Sequence, residues 1–138
     1  MRSHAVSTLI GFLFFYCSAC SFTDTKEEKL LKDIYGTWEW IWSSGGFTGD
    51  TIYPSSETGR VLVVFAEGHV YTRIGNKKIR EQGVFSLGYD EARNLALITY
   101  KNGGHVYRQW YYLAAPRTLT LLDQGADGFV SGYVKIAD

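Results

Sequence analysis

Gly36-Thr37-Trp38-Glu39-Trp40-Ile41-Trp42 is the stretch that decides the fold. Successive side chains of an extended strand point to opposite faces, so alternation puts Trp38, Trp40 and Trp42 on one face and Thr37, Glu39 and Ile41 on the other. A ring of this kind buries roughly 150 to 250 Å². At ~25 cal/mol per Å² that is an upper bound of about 4 to 6 kcal/mol of transfer energy per indole. Three indoles on one face cannot be left in water, so the face is expected to point into a core.

Outward from this strand, the chain after Gly36 reads as short runs rich in β-branched and aromatic residues, with no window of helical period. The expected strands are Thr37 to Trp42, Arg60 to Ala66, His69 to Ile74, Lys78 to Leu87, Leu95 to Tyr100, His105 to Leu113, Thr118 to Leu122 and Phe129 to Ile136. Glu67-Gly68, Gly75-Asn76 and Asn102-Gly103-Gly104 fall between them, where tight antiparallel turns need residues that accept positive φ. Local connections imply a meander. Eight antiparallel strands joined this way lose their exposed edges by closing, so the expected fold is all-β, an eight-stranded antiparallel up-and-down barrel. A two-sheet sandwich is the alternative. Ahead of the first strand, Thr25 and Glu28 match a capping box, and Leu30, Leu31 and Ile34 share one side of a short helical turn. Lys26, Glu27, Lys29 and Lys32 are read as its solvated face.

Gly36-Thr37-Trp38, at the start of the first strand after a short helix, resembles the Gly-x-Trp signature of the lipocalin and calycin barrels. In those families a basic residue of the last strand packs across the Trp, and Lys135 stands in the matching place. The chain is similar to the small lipocalin-like lipoproteins common in Bacteroidota, through Gly36-Thr37-Trp38-Glu39-Trp40, Ser43-Ser44-Gly45-Gly46-Phe47-Thr48-Gly49, Thr51, Pro54, Asp123 and Asp127-Gly128-Phe129. The likeness covers nearly all of 34–138 and implies a lipocalin-like barrel with Gly36, Trp38 and Lys135 as its structural signature. Two departures stand out. Lys135 replaces the usual arginine, which removes a planar stacking group, and the Thr-Asp-x motif of prototypical lipocalins is missing. The resemblance specifies fold better than function.

The N-terminus carries a different message. Arg2 precedes an apolar run from Ala5 to Tyr16, followed by Cys17-Ser18-Ala19-Cys20. A helix from Ala5 to Ala19 would be roughly 22 Å long, short of the ~30 Å hydrocarbon core of a bilayer. The segment reads as an export signal, and small residues before Cys20 resemble the lipobox of bacterial lipoproteins, with Cys17 where Leu is usual. An ordinary secretory signal with two incidental cysteines is the alternative. The expected organisation is a lipoprotein signal peptide over 1–19, lipidated Cys20 with tether and short helix over 20–33, and the barrel over 34–138. The expected location is the cell envelope, lipid-anchored, at the outer membrane on its periplasmic or surface face.

Charge and motifs narrow the chemistry. Fourteen Lys and Arg balance fourteen Asp and Glu, with no long run of one sign, which disfavours nucleic-acid binding and polybasic membrane docking. No Gly-x-Ser-x-Gly elbow, phosphate loop, His-Glu-x-x-His or metal-spaced cysteine pair occurs, and no cofactor or metal is expected. His69 and His105 each follow a glycine turn and read as surface residues. Asp123 and Asp127 bracket Gln124-Gly125-Ala126, better suited to turn chemistry than to Ca²⁺. Glu39 has no second carboxylate placed near it, so an enzyme is not expected.

Aromatic residues make up 16% of the chain and must fill a core or line a site. The leading expectation is a barrel that binds a small apolar or aromatic-compatible molecule in a mouth formed by the loop Ser43 to Gly59. Its candidate wall is Trp40, Trp42, Phe65, Tyr71, Phe85, Trp110 and Tyr112. The competing expectation is a filled barrel that contacts an envelope protein or glycan, with Tyr107, Tyr111 and Tyr133 as outer aromatics and Gly45-Gly46 in an adaptable loop. The void inside the barrel discriminates the two.

Overall fold

The computed structural model of the chain describes residues 26–114 and 117–138. The expected signal peptide, Cys20 and the Thr25 cap lie outside the described residues. Helix α1 (Lys26–Ile34) is followed by strands β1 (Gly36–Gly45), β2 (Thr51–Ile52), β3 (Val61–Ala66), β4 (Val70–Gly75), β5 (Lys78–Asp90), β6 (Leu95–Asn102), β7 (His105–Ala114), β8 (Thr118–Asp123) and β9 (Phe129–Ala137). Each strand from β3 onward pairs antiparallel with the next, β3 pairs with β1, and β9 returns to β1 over Thr37 to Gly45. The β1 to β9 pairing closes an eight-stranded barrel and excludes the sandwich. The two-residue β2 is an addition that sequence reading missed, hung on the tail of β1 at Ser43 and Ser44. The architecture is consistent with a calycin-like fold.

Turn chemistry sets the hairpins. Asn76 and Lys77 have φ of 52° and 64°, the pair of left-handed residues that a two-residue type I′ loop requires between β4 and β5. The loops after β1, β4, β6 and β8 gather at one end, the open end. Helix α1 leads into the opposite end, where Ile34 is fully buried and Leu31 packs on the core.

Alternation along the strands selects the interior: Trp38 and Trp40 of β1, Val63 and Phe65 of β3, Tyr71 of β4, Phe85 of β5, Ile98 and Tyr100 of β6, Tyr111 of β7, Leu119 and Leu121 of β8 and Tyr133 of β9. Trp38 is completely buried; its indole N–H donates to the Ile34 carbonyl at 2.7 Å, and the Lys135 ammonium lies 5.4 Å from its ring centroid. The basic clamp is held in turn by Asp138, 3.1 Å from Lys135.

The three-indole face does not survive intact. Trp40 pairs with Tyr133 and Trp42 with Gly132, so Ile41 is an extra residue, a β-bulge in β1. The bulge shifts the parity by one: Trp40 and Ser43 point inward, while Ile41 and Trp42 turn to the outer surface. The Trp42 indole lies across Gly132, where an added Cβ would sit 2.2 Å from its ring nitrogen. The expectation that Trp42 shares the interior with Trp38 and Trp40 is therefore corrected. Gly83 answers a similar demand inside, since a Cβ there would meet the Lys101 carbonyl oxygen at 2.2 Å.

Candidate functional site

Between the closed end and the middle of the barrel the interior is solid. Trp38, Tyr71, Ile98, Tyr100, Leu119 and Leu121 all have 0% of their surface accessible, so no space wide enough for water touches them. The rings interlock: Phe65 and Phe85 meet edge to face at 5.0 Å, Tyr71 and Tyr100 at 4.9 Å, and Tyr100 stacks on Tyr107 at 4.6 Å.

Above this aromatic floor, toward the open end, the lining becomes polar. Arg73 projects inward from β4 and crosses the barrel to β7, where its Nη2 donates to the Gln109 side-chain oxygen at 3.2 Å. Its guanidinium carbon stands 5.3 Å from the Tyr100 ring centroid and 5.5 Å from that of Tyr107, a geometry in which ring quadrupoles favour the cation. Glu81 is 3.6 Å from Arg73 Nε and accepts the Tyr71 hydroxyl at 2.5 Å. Gln109 passes the network on, donating to Asp123 at 2.6 Å, and the other Asp123 oxygen accepts the Phe129 backbone N–H at 3.2 Å. Asp123 thus staples the loop between β8 and β9. A second chain of hydroxyls runs beside it: the Trp40 indole donates to Ser43 at 2.8 Å, and Ser43 and Ser131 share a hydrogen bond at 2.6 Å.

This layer is incompletely satisfied. Arg73 Nε, which faces the Glu81 carboxylate at 3.6 Å, and the hydroxyls of Tyr100 and Tyr107 are buried with no hydrogen-bond partner among the described residues, as is the Tyr111 hydroxyl nearer the closed end. Such atoms are uncommon in folded proteins, and each calls for water, a ligand or a functional reason. Burial pushes the Tyr71 phenol up to about 12, with its bond to Glu81 adding to the shift. Burial also raises Tyr111 to about 12, helped by the nearby Asp33 carboxylate, and it raises Tyr100, Tyr107 and Tyr133. Burial alone would weaken the charge on Arg73, but the phenol oxygens of Tyr100, Tyr107 and Tyr133 and the Glu81 carboxylate outweigh it and raise its affinity for the proton. The layer therefore keeps a permanent cation among neutral phenols. Tyr100→Phe removes a buried hydroxyl with no partner, so stability in urea is expected to hold or rise by up to about 1 kcal/mol. A loss above that would mean the hydroxyl is bonded in solution.

Of the seven wall residues expected from sequence, Trp40, Phe65, Tyr71 and Phe85 are brought together inside, each 7% exposed or less. Trp42, Trp110 and Tyr112 are not. Trp110 lies on the outer face of β7, donating to Asp90 at 2.9 Å beneath the Arg93 guanidinium, and Tyr112 is 62% exposed on the same face. Conversely, Tyr107, Tyr111 and Tyr133, expected as outer aromatics, face inward. The exposed rings at the open end are Phe47, Tyr53 and Phe129. Sequence reasoning missed Arg73, Glu81, Gln109 and Ser131. Their signal was parity, since Arg73 lies two residues beyond inward Tyr71 and Gln109 lies between inward Tyr107 and Tyr111. His69 is half-buried with its ring near Phe85, while His105 is exposed.

No family model matches the chain, and no curated protein or solved structure matches it.

Proposed function

We propose that this chain is a lipid-anchored protein of the cell envelope whose barrel is an interaction module rather than a carrier or an enzyme. It engages an envelope protein through its open end, with Arg73 as the charged anchor and the exposed rings of Phe47, Tyr53 and Phe129 as the apolar surround. The observation that carries this reading is the packed aromatic floor, in which Tyr71 and Tyr100 are wholly inaccessible, so no apolar ligand of the kind barrel carriers enclose can lie against them. Aromatic rings and arginine are the residues that most often dominate binding energy at protein surfaces. Phe47 is 97% exposed at the Gly46 to Gly49 turn, and the Phe129 ring lies against Gly46 beside it.

A second reading rests on the orphaned Tyr100 and Tyr107 hydroxyls, which favour a small ligand rich in acceptor atoms at the same mouth. One experiment separates the two. A photo-crosslinking residue replaces Phe47 in the full chain, in its native envelope. The expected result is one discrete protein adduct, lost when Arg73→Met and Glu81→Gln are combined so that neither charge is left unpaired. No adduct, together with a small molecule retained in native mass spectrometry and lost in Trp40→Ala, overturns the module reading.

A further inference from the structure

The outer surface carries a second concavity, remote from the polar interior. Leu62, Ile74 and Ile79 stand in register across β3, β4 and β5, forming an aliphatic row on the outside of the barrel, with Ile79 63% exposed. At the open-end margin of this row lies a groove of about 340 Å³ lined by Arg60, Leu62, Ile74, Asn76 and Lys77. Its floor is aliphatic and its rim is cationic.

The rim is built rather than incidental. Arg60 is fixed by two hydrogen bonds to Glu39, at 2.5 and 3.1 Å, and the Glu39 carboxyl is held below its usual range by that bond. The pair offsets both charges, so Arg60 offers a head group its remaining guanidinium nitrogen as a donor, and the net positive charge of the rim comes from Lys77. The Asn76 backbone N–H donates to the Arg60 carbonyl at 3.2 Å, and the Asn76 side chain fills the space that a side chain at Gly59 would need. Lys77 occupies the second position of the type I′ turn with φ of 64°, where glycine is the comfortable choice. It forms no ion pair or hydrogen bond among the described residues. An unpaired lysine held in a backbone conformation that disfavours it, beside an apolar floor, is a local conflict of the kind that marks function.

We propose that this groove binds a single-chain anionic amphiphile, with a carboxylate or phosphate head between Arg60 and Lys77 and its alkyl chain along Leu62, Ile74 and Ile79. The three strands set the row about 10 Å wide at their ~4.8 Å spacing, a length that suits an extended chain and not a compact polar ligand. Cations supply the head's affinity and the aliphatic row supplies the tail's. Neither contact alone gives selectivity, so a charged head without a chain and a chain without a charge both bind poorly. The groove lies on the outer face of β3 and β4, apart from the inward-facing Arg73.

Calorimetric titration of the full chain with decyl phosphate, kept below its micelle-forming concentration, is the test. One site is expected, with decanol and inorganic phosphate each binding far more weakly. Lys77→Gly relieves the turn, so the thermal midpoint should hold or rise while decyl phosphate affinity falls about tenfold, the range for losing a bond to a charged group. The combination of Arg73→Met with Glu81→Gln should leave the titration unchanged. Unaltered affinity in Lys77→Gly, or decanol binding as tightly as decyl phosphate, would overturn the proposal. So would binding to phosphatidylglycerol vesicles without any binding of the monomer, which would assign the cations to a membrane surface.

Discussion

Trp38→Ala is expected to remove about 3 to 5 kcal/mol of folding free energy, measured as the shift in urea-unfolding free energy at neutral pH. The residue is 0% exposed and joins three parts of the molecule. Its ring fills the barrel where β1 begins, its N–H holds the last carbonyl of α1 at 2.7 Å, and its face receives Lys135 from β9. Truncation leaves a cavity among rings that cannot collapse, strands the Ile34 carbonyl and uncovers an ammonium that is only 11% exposed. For a domain with a total stability of about 5 to 15 kcal/mol, the loss is a large share of the whole. Trp42→Ala is the control, since that indole lies on the outer surface over Gly132. Equal losses in the two variants would contradict the bulge at Ile41.

Alkaline unfolding is expected to be cooperative and to be driven by the interior phenols. Tyr71 and Tyr111 are raised to about 12 in the folded chain, chiefly by burial, against about 10 in the unfolded chain. The unfolded state therefore releases these protons first and binds fewer of them at high pH, so stability falls as pH rises from about 10 to about 12. Below pH 10 both states hold the proton and the effect vanishes. Each shift of this size corresponds to about 2 to 3 kcal/mol once both states are ionised, and Tyr100, Tyr107 and Tyr133 move in the same direction. Tyrosinate absorbance followed together with circular dichroism checks it: the interior phenols should ionise in step with loss of the sheet. Smooth ionisation of all tyrosines with the sheet intact would show that the interior is open to solvent, and it would return weight to a ligand-filled barrel.

The amino-acid sequence by itself determined eight of the nine strands and their order, and it favoured closure over a sandwich, which the β1 to β9 pairing then decided. Period-two runs punctuated by Gly and Asn turns are local properties, and a meander of eight such strands has one simple way to satisfy its edges. The Trp38 and Lys135 pair was legible only through the resemblance of Gly36-Thr37-Trp38 to the Gly-x-Trp signature, which implies a basic residue of the last strand across that Trp. Tertiary structure alone decided which side chains meet. A single extra residue, Ile41, turns Trp42 outward, and no local pattern announces a bulge that is paired across a strand 90 residues later. In β3 and β7 both faces carry apolar or aromatic residues, so parity could not be assigned until neighbouring strands fixed it, and Tyr112 and Tyr111 exchanged roles. The Arg73 network joins β4, β5, β7 and β8 across the barrel, and the outer cations join Arg60 to a turn 17 residues away. The first is a product of closure and the second of strand pairing, because charge and hydrogen bonding depend on distance through space, which the spacing along the chain does not encode.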